Sequence, residues 1–136
     1  MATTRVSISG PLFTGEAEQA AEEFTAGLAA QIAAIGATWI KIEAHGFDKS
    51  GRGGTGAAAE GVELISQGRD WVIRGGVREG SYSWPWLEGD SPRNNTTEFK
   101  GYHTFRRTRL RMRRQVTPWA QQEIDDFIVR MGGSVL

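Results

Sequence analysis

Apolar positions along the chain change period several times, and each change marks an element. Val6 and Ile8 alternate with polar neighbours in RVSIS, the period-two pattern of a half-buried strand, which stops at Gly10-Pro11. From Glu16 to Ile35 the spacing turns helical. Ala17, Ala20, Ala21, Phe24, Leu28, Ile32 and Ile35 share one face, Thr14 is placed to cap, Glu16 and Glu18 suit the positive end of the helix dipole, and Gly36 offers a stop. Alternation returns in TWIKIEA (38–44), with Ile40 and Ile42 on one side and Trp39 and Lys41 on the other, which predicts a second strand. GVELIS (61–66) and DWVIRGGV (70–77) predict two more, joined by a tight turn at Gln67-Gly68.

The last third is helical after a loop. Phe105, Thr108, Met112, Val116, Trp119, Ile124, Phe127, Ile128 and Met131 recur at helical spacing, and Gly132-Gly133 ends the pattern. Pro118 lacks a backbone donor, so the spacing predicts a kink there or a restart with Thr117 as cap. The expected fold is a single α+β domain over residues 1–136. A small, mostly antiparallel sheet of about four strands is packed by an N-terminal helix and a long C-terminal helix. Two long interaction loops, glycine-rich at residues 46–61 and polar at 88–100, connect these parts.

Composition narrows the class. With 39% apolar and 24% charged residues the chain reads as globular, and no run approaches the roughly 20 apolar residues of a membrane helix. MATTRVSISG has no apolar core after a basic start, so a soluble protein made without export and without a membrane partner is expected. The absence of cysteine excludes disulfides, thiolate chemistry and Cys-based zinc sites.

Chemical motifs are scarce. GRGGTG (51–56) matches the dinucleotide fingerprint, but only AAAE separates it from Gly61, too little for the helix that should hold a phosphate. A flexible connection is the plainer reading. His45 and His103 have no helical partner for a metal, Glu16, Glu18, Glu22 and Glu23 follow a solvent face, and no serine sits in a GxSxG elbow. The sequence thus offers no catalytic residue, cofactor site or metal site, and the expectation is that the protein is not an enzyme.

Charge changes the picture. Residues 1–99 carry eight basic and thirteen acidic side chains, whereas residues 100–114 carry seven basic ones and no acid, on a chain of zero net charge. The basic block is centred on FRRTRLRMRR (105–114). With Phe105 at 0° and steps of about 100°, Thr108, Met112 and Val116 lie within roughly 60° of it, whereas Leu110 lies near 140°. Arg114, Arg107 and Arg111 lie near 180°, 200° and 240° on the same count. Leu110 therefore sits among Arg106, Arg107, Arg111 and Arg114, on a face this helix does not need for its own core. Upstream, YSWPWLEGDSPRNNTTEFKGYHTFR (82–106) joins Trp84 and Trp86, read as extended around Pro85, to a polar loop with Arg93, Asn94, Asn95 and Lys100. Core packing is the plain reading of the tryptophans. A platform for a partner is the other, because aromatics and arginine are enriched in interfaces.

In VSISGPLFTGEAE, in WPWLEGDSPRNNTTEFKGYHTFRRT (84–108) and in a last amphipathic helix ending in MGG, the chain resembles the small neck and tail-completion proteins of long-tailed bacteriophages, especially those infecting actinobacteria. The resemblance runs in order over most of the chain and is most specific in residues 86–107. It implies an α+β structural protein of the virion, made in the host cytoplasm and placed at the head-to-tail junction. Copies of the chain would form a ring, commonly sixfold, that meets connector, stopper, tail-terminator or tail-tube subunits. Genomic DNA would pass nearby without sequence-specific binding. The subunit-contact candidates are then Trp84, Trp86, Arg93, Asn94, Asn95, Lys100, Arg106, Arg107, Leu110, Arg111 and Arg114. The alternative is a nucleic-acid-binding module using helix 105–114, although the remaining 121 residues carry net negative charge.

Overall fold

The computed structural model describes residues 2–6, 18–47, 57–76 and 84–132. Strand β1 (Thr3–Val6) leads to helix α1 (Glu18–His45), one turn of helix α2 (Ala57–Glu60), strands β2 (Glu63–Gln67) and β3 (Asp70–Arg74), short helices α3 (Trp84–Glu88) and α4 (Arg93–Thr96), and the long helix α5 (Thr104–Arg130). The α+β class and the two long helices stand as expected. GRGGTG and the proposed Thr14 cap lie outside the described residues.

The sheet is antiparallel throughout, in the order β1-β3-β2, with three strands among the described residues. Gln67 pairs with Asp70, so the hairpin closes on the two residues Gly68 and Arg69. Gly68 has φ +62°, which a side chain would resist and which the first central position of a tight hairpin turn requires. Register places Thr4, Ile73 and Leu64 in one row across the strands. Ile73 is fully buried and Leu64 packs on the same core, which fixes this row as the face toward the helices.

Residues 38–44 are not a strand. α1 runs straight through them and through Gly36, which was expected to stop it. Ile40 is fully buried while Ile42 is 66% exposed, although a strand would have put them on one face. What decides is a longer stripe of Ala29, Ala33, Gly36, Ala37, Ile40 and Ala44, at helical spacing and made of small groups. This makes α1 long and apolar enough to span a membrane by length and composition alone; here its small-residue face packs on β3 and α5.

The small residues matter because α1 and α5 pack closely and antiparallel. Phe24 stacks on Phe127 at one end, with ring centroids 4.3 Å apart, and Glu43 meets Thr104 and Arg107 at the other. Between them, a Cβ added to Gly36 would lie 2.7 Å from Met112 Sδ and 3.0 Å from Ile73 Cδ1. Helix α5 is unbroken, so the restart at Thr117 does not occur. Pro118 is exposed and lies inside it, where the Arg114 carbonyl that loses its donor can turn to water. Trp119 and Met131, assigned to the buried stripe, are 38% and 40% exposed.

Two glycines of α1 should respond oppositely to substitution. Gly27 has open space around its Cα, so Gly27→Ala should stabilise by about 1 kcal/mol through helix propensity. Gly36→Val should destabilise by about 2 kcal/mol or more, since Met112 and Ile73 must move together. Urea unfolding followed by helical circular dichroism reads both; equal effects would mean that the α1–α5 contact is loose.

Candidate functional site

The segment from Trp84 to His103 was expected to be extended and then looped, and it is an interlocked unit. Trp84 and Trp86 belong to α3, with Pro85 at its second position, where the missing N–H is no loss. Their indoles therefore part company. Trp84 is fully buried, donates its Nε1–H to the Ala58 carbonyl at 2.8 Å and stands edge-on to Phe105. Its burial leaves it nothing to offer a neighbouring subunit, and it is removed from the contact candidates. The turn of α2 that accepts its hydrogen bond is the end of the glycine-rich segment, so that end is core rather than loop.

From Trp84 a line of rings runs outward. Phe47 lies edge-on to Trp84 and stacks on Tyr102 at 4.1 Å, Tyr102 meets Phe99, Phe99 meets Trp86, and the Arg93 guanidinium lies 4.4 Å over the Trp86 ring. Asn94 pins the polar loop to this line. It is buried; its Oδ1 accepts from the Ser91 amide, and its Nδ2 donates to the carbonyls of Trp86 and Phe99. Lys100 Nζ donates to the Asn94 carbonyl at 2.9 Å. Asn94 is therefore buried inside the loop, which corrects the expectation that it faces a partner, whereas Lys100 braces the loop and is itself exposed. Asn95 is exposed.

The loop also starts α5. Gly89 and Gly101 lie back to back, so close that a Cβ on Gly101 would fall 2.4 Å from Gly89 Cα. This brings Glu88 to the end of α5, where its buried carboxylate accepts from the amides of Phe105 at 2.8 Å and Arg106 at 3.2 Å. The residue at the cap position, His103, makes no side-chain cap, so a group fifteen residues upstream supplies it.

α5 then presents its arginines. Arg106, Arg107, Arg109, Arg111, Arg113 and Arg114 are all exposed, and Leu110 among them is 46% exposed, as the angular count predicts. They differ in what they touch. Arg107 is tied to the Glu43 carboxylate and donates Nε–H to the Tyr102 carbonyl. Arg111 lies 3.8 Å over the Trp39 ring. The tryptophan-bearing loop and the arginine face are neighbours in sequence, but the buried indole of Trp84 does not join that face.

An open groove of about 330 Å³ lies between α1 and α5, lined by Ile35, Trp39, Gln115, Val116 and Trp119. A strand reading of TWIKIEA hides the exposed Ile42 and the half-buried Trp39 as groups on the outer side of one helix. The signal was present as the helical series Ile35, Trp39 and Ile42. Among the described residues, no group of three or more His, Asp or Glu could hold a metal ion. Comparison of the chain with protein-family models, curated proteins and solved structures returned no match.

The Glu88 cap carries a pH signature. Burial pushes its carboxyl above the usual carboxylate range, against the two amide hydrogen bonds and His103, which pull it down. The folded chain therefore holds this proton to higher pH than the unfolded chain, and stability from this group falls as pH rises from the ordinary carboxylate value through the raised one. Glu88→Gln should flatten that part of the stability–pH curve, measured by urea midpoints across mildly acidic pH. Glu88→Ala should lose about 2 kcal/mol at neutral pH by leaving the buried Phe105 amide and the half-buried Arg106 amide uncapped.

Proposed function

We propose that the chain is a structural subunit of a tailed-phage virion, forming a ring at the head-to-tail junction that completes or caps the tail tube and joins it to the connector. The observation that carries the reading is Leu110, 46% exposed and surrounded by exposed arginines on a chain of zero net charge. An apolar centre with an arginine rim suits a protein contact, where desolvated apolar groups give affinity and charges give register. The resemblance supplies the assembly. Its most specific residues, 86–107, span the loop built on Trp86 and Asn94 and the helix start capped by Glu88. A rigid loop of this kind suits a subunit held between neighbours on both sides.

Negative-stain imaging of the purified protein, alone and with tail-tube subunits, tests the reading. Rings or capped tubes are expected; a strict monomer that ignores the tube would count decisively against it. Leu110→Asp should weaken assembly at least tenfold, about 1.4 kcal/mol, while leaving the helical circular dichroism and the thermal midpoint unchanged. The nucleic-acid alternative makes a different demand: tight duplex binding in a gel shift that weakens steeply with salt and is lost when Arg109 and Arg113 are replaced by Glu.

A further inference from the structure

The antiparallel pairing of α1 with α5 sorts charge into two poles. The Phe24–Phe127 stack brings the start of α1 beside the end of α5, which gathers Glu18, Glu22, Glu23, Glu123, Asp125 and Asp126. Arg69 reaches Glu22 there, and Arg130 lies one turn beyond Asp126. The opposite end carries the six exposed arginines, with Glu43 bound to Arg107. Leu110 and Asp125 are fifteen residues apart, or about 22 Å along the helix at 1.5 Å per residue. That exceeds the Debye length of about 8 Å in physiological salt, so the poles do not neutralise each other within one chain.

The way the acids are satisfied points the same way. Glu23, Asp125 and Asp126 accept hydrogen bonds from Gln19, Gln121 and Gln122, each one helical turn away, which orders the carboxylates and leaves their charge in place. Folding of α5 does not ask for this distribution. Arg106 and Arg107 stand in its first turn against the helix dipole, and Arg107/Arg111 and Arg109/Arg113 repel at i, i+4. Each pole also has exposed apolar groups: Leu110 among the arginines, and Val129 (58%) and Met131 (40%) beyond the acids.

From these facts we infer that the basic pole around Leu110 binds the acidic pole, Glu123 to Met131 of α5 with the start of α1, of a second copy of the same chain. The contact is head to tail, so each copy keeps one pole open for the next. It rests on the ring reading above for closure and names the two surfaces that meet in that ring.

Charge exchange between variants tests it. Arg109→Glu with Arg113→Glu removes most of the net charge of the basic pole and leaves the acidic pole intact, and Asp125→Arg with Asp126→Arg neutralises the acidic pole and leaves the basic pole intact. None of the four positions belongs to the buried residues of α5, so unchanged circular dichroism is expected and is checked first. In sedimentation velocity at low salt the wild type should form species larger than dimers. Each variant alone should associate at least tenfold more weakly, and the equimolar mixture should recover association. A wild type that stays monomeric, variants that associate like wild type, or a mixture that fails to recover would overturn the inference. Assembly that stops at two copies would overturn its head-to-tail form, and duplex DNA captured by a monomeric wild type would assign the basic pole to nucleic acid instead. A chain that shows the exchange but ignores tail-tube subunits keeps this contact and loses the neck reading; one that caps tubes without the exchange does the reverse.

Discussion

Close approach of α1 and α5 at Gly36 is the constraint on which the other parts depend. Met112 and Ile73 both fill the space where a side chain at 36 would stand, so α1, α5 and β3 meet at one point. Any larger group there would force the ends of the Met112 and Ile73 side chains to shift. Once this point is fixed, the Phe24–Phe127 stack and the Glu43 contacts set the alignment of the two helices along their length. Antiparallel alignment then determines which charges share an end and leaves the groove between Trp39 and Trp119.

Helix α5 can occupy that place only if its first turn is fixed. A helix that begins with Thr-Phe-Arg-Arg has no carboxylate in its own first turn, and its cap position is a histidine in the left-handed conformation. Glu88 compensates from outside, held by the glycine pair 89 and 101 and by the Tyr102 amide bonded to the Leu87 carbonyl. The polar loop is therefore more than a connection. Asn94, the ring line from Trp84 to Trp86 and the Glu88 cap make one unit that sets where the arginines begin.

Sequence pattern was a good guide where a single element decided the outcome. The β2–β3 hairpin, the reach of α5 and the outward position of Leu110 all follow from local period and turn chemistry, and all are present. It failed where tertiary packing chose between two readings. Seven residues, TWIKIEA, fit alternation, and only the alanine stripe extending back to Ala29 shows the helix. Gly36 looked like a stop because glycine usually ends helices, whereas here it admits Met112. Trp84 and Asn94 look like surface groups in the sequence because their partners, Ala58 and the carbonyls of the loop, are set by three-dimensional closure. Of the candidate site, the arginine face was legible, and the acidic pole that matches it was not, because its two halves lie about a hundred residues apart in the chain.

That split of charge is the feature the folding of α5 does not require. A helix selected for stability alone would place carboxylates in its first turn, yet α5 has arginines there and all three of its acids late. Its folded form is secured by other means, through Glu88 and the packing of Phe105, Met112 and Val116. Charge held against the local preference, on a neutral chain and around an exposed leucine, is what the proposed contact between copies would compensate. A polyanion could compensate the arginines but would be repelled by the six carboxylates at the other end of the same helix pair. A protein surface of matching polarity compensates both ends at once, and an identical copy is the partner in which such a match is present without further assumption.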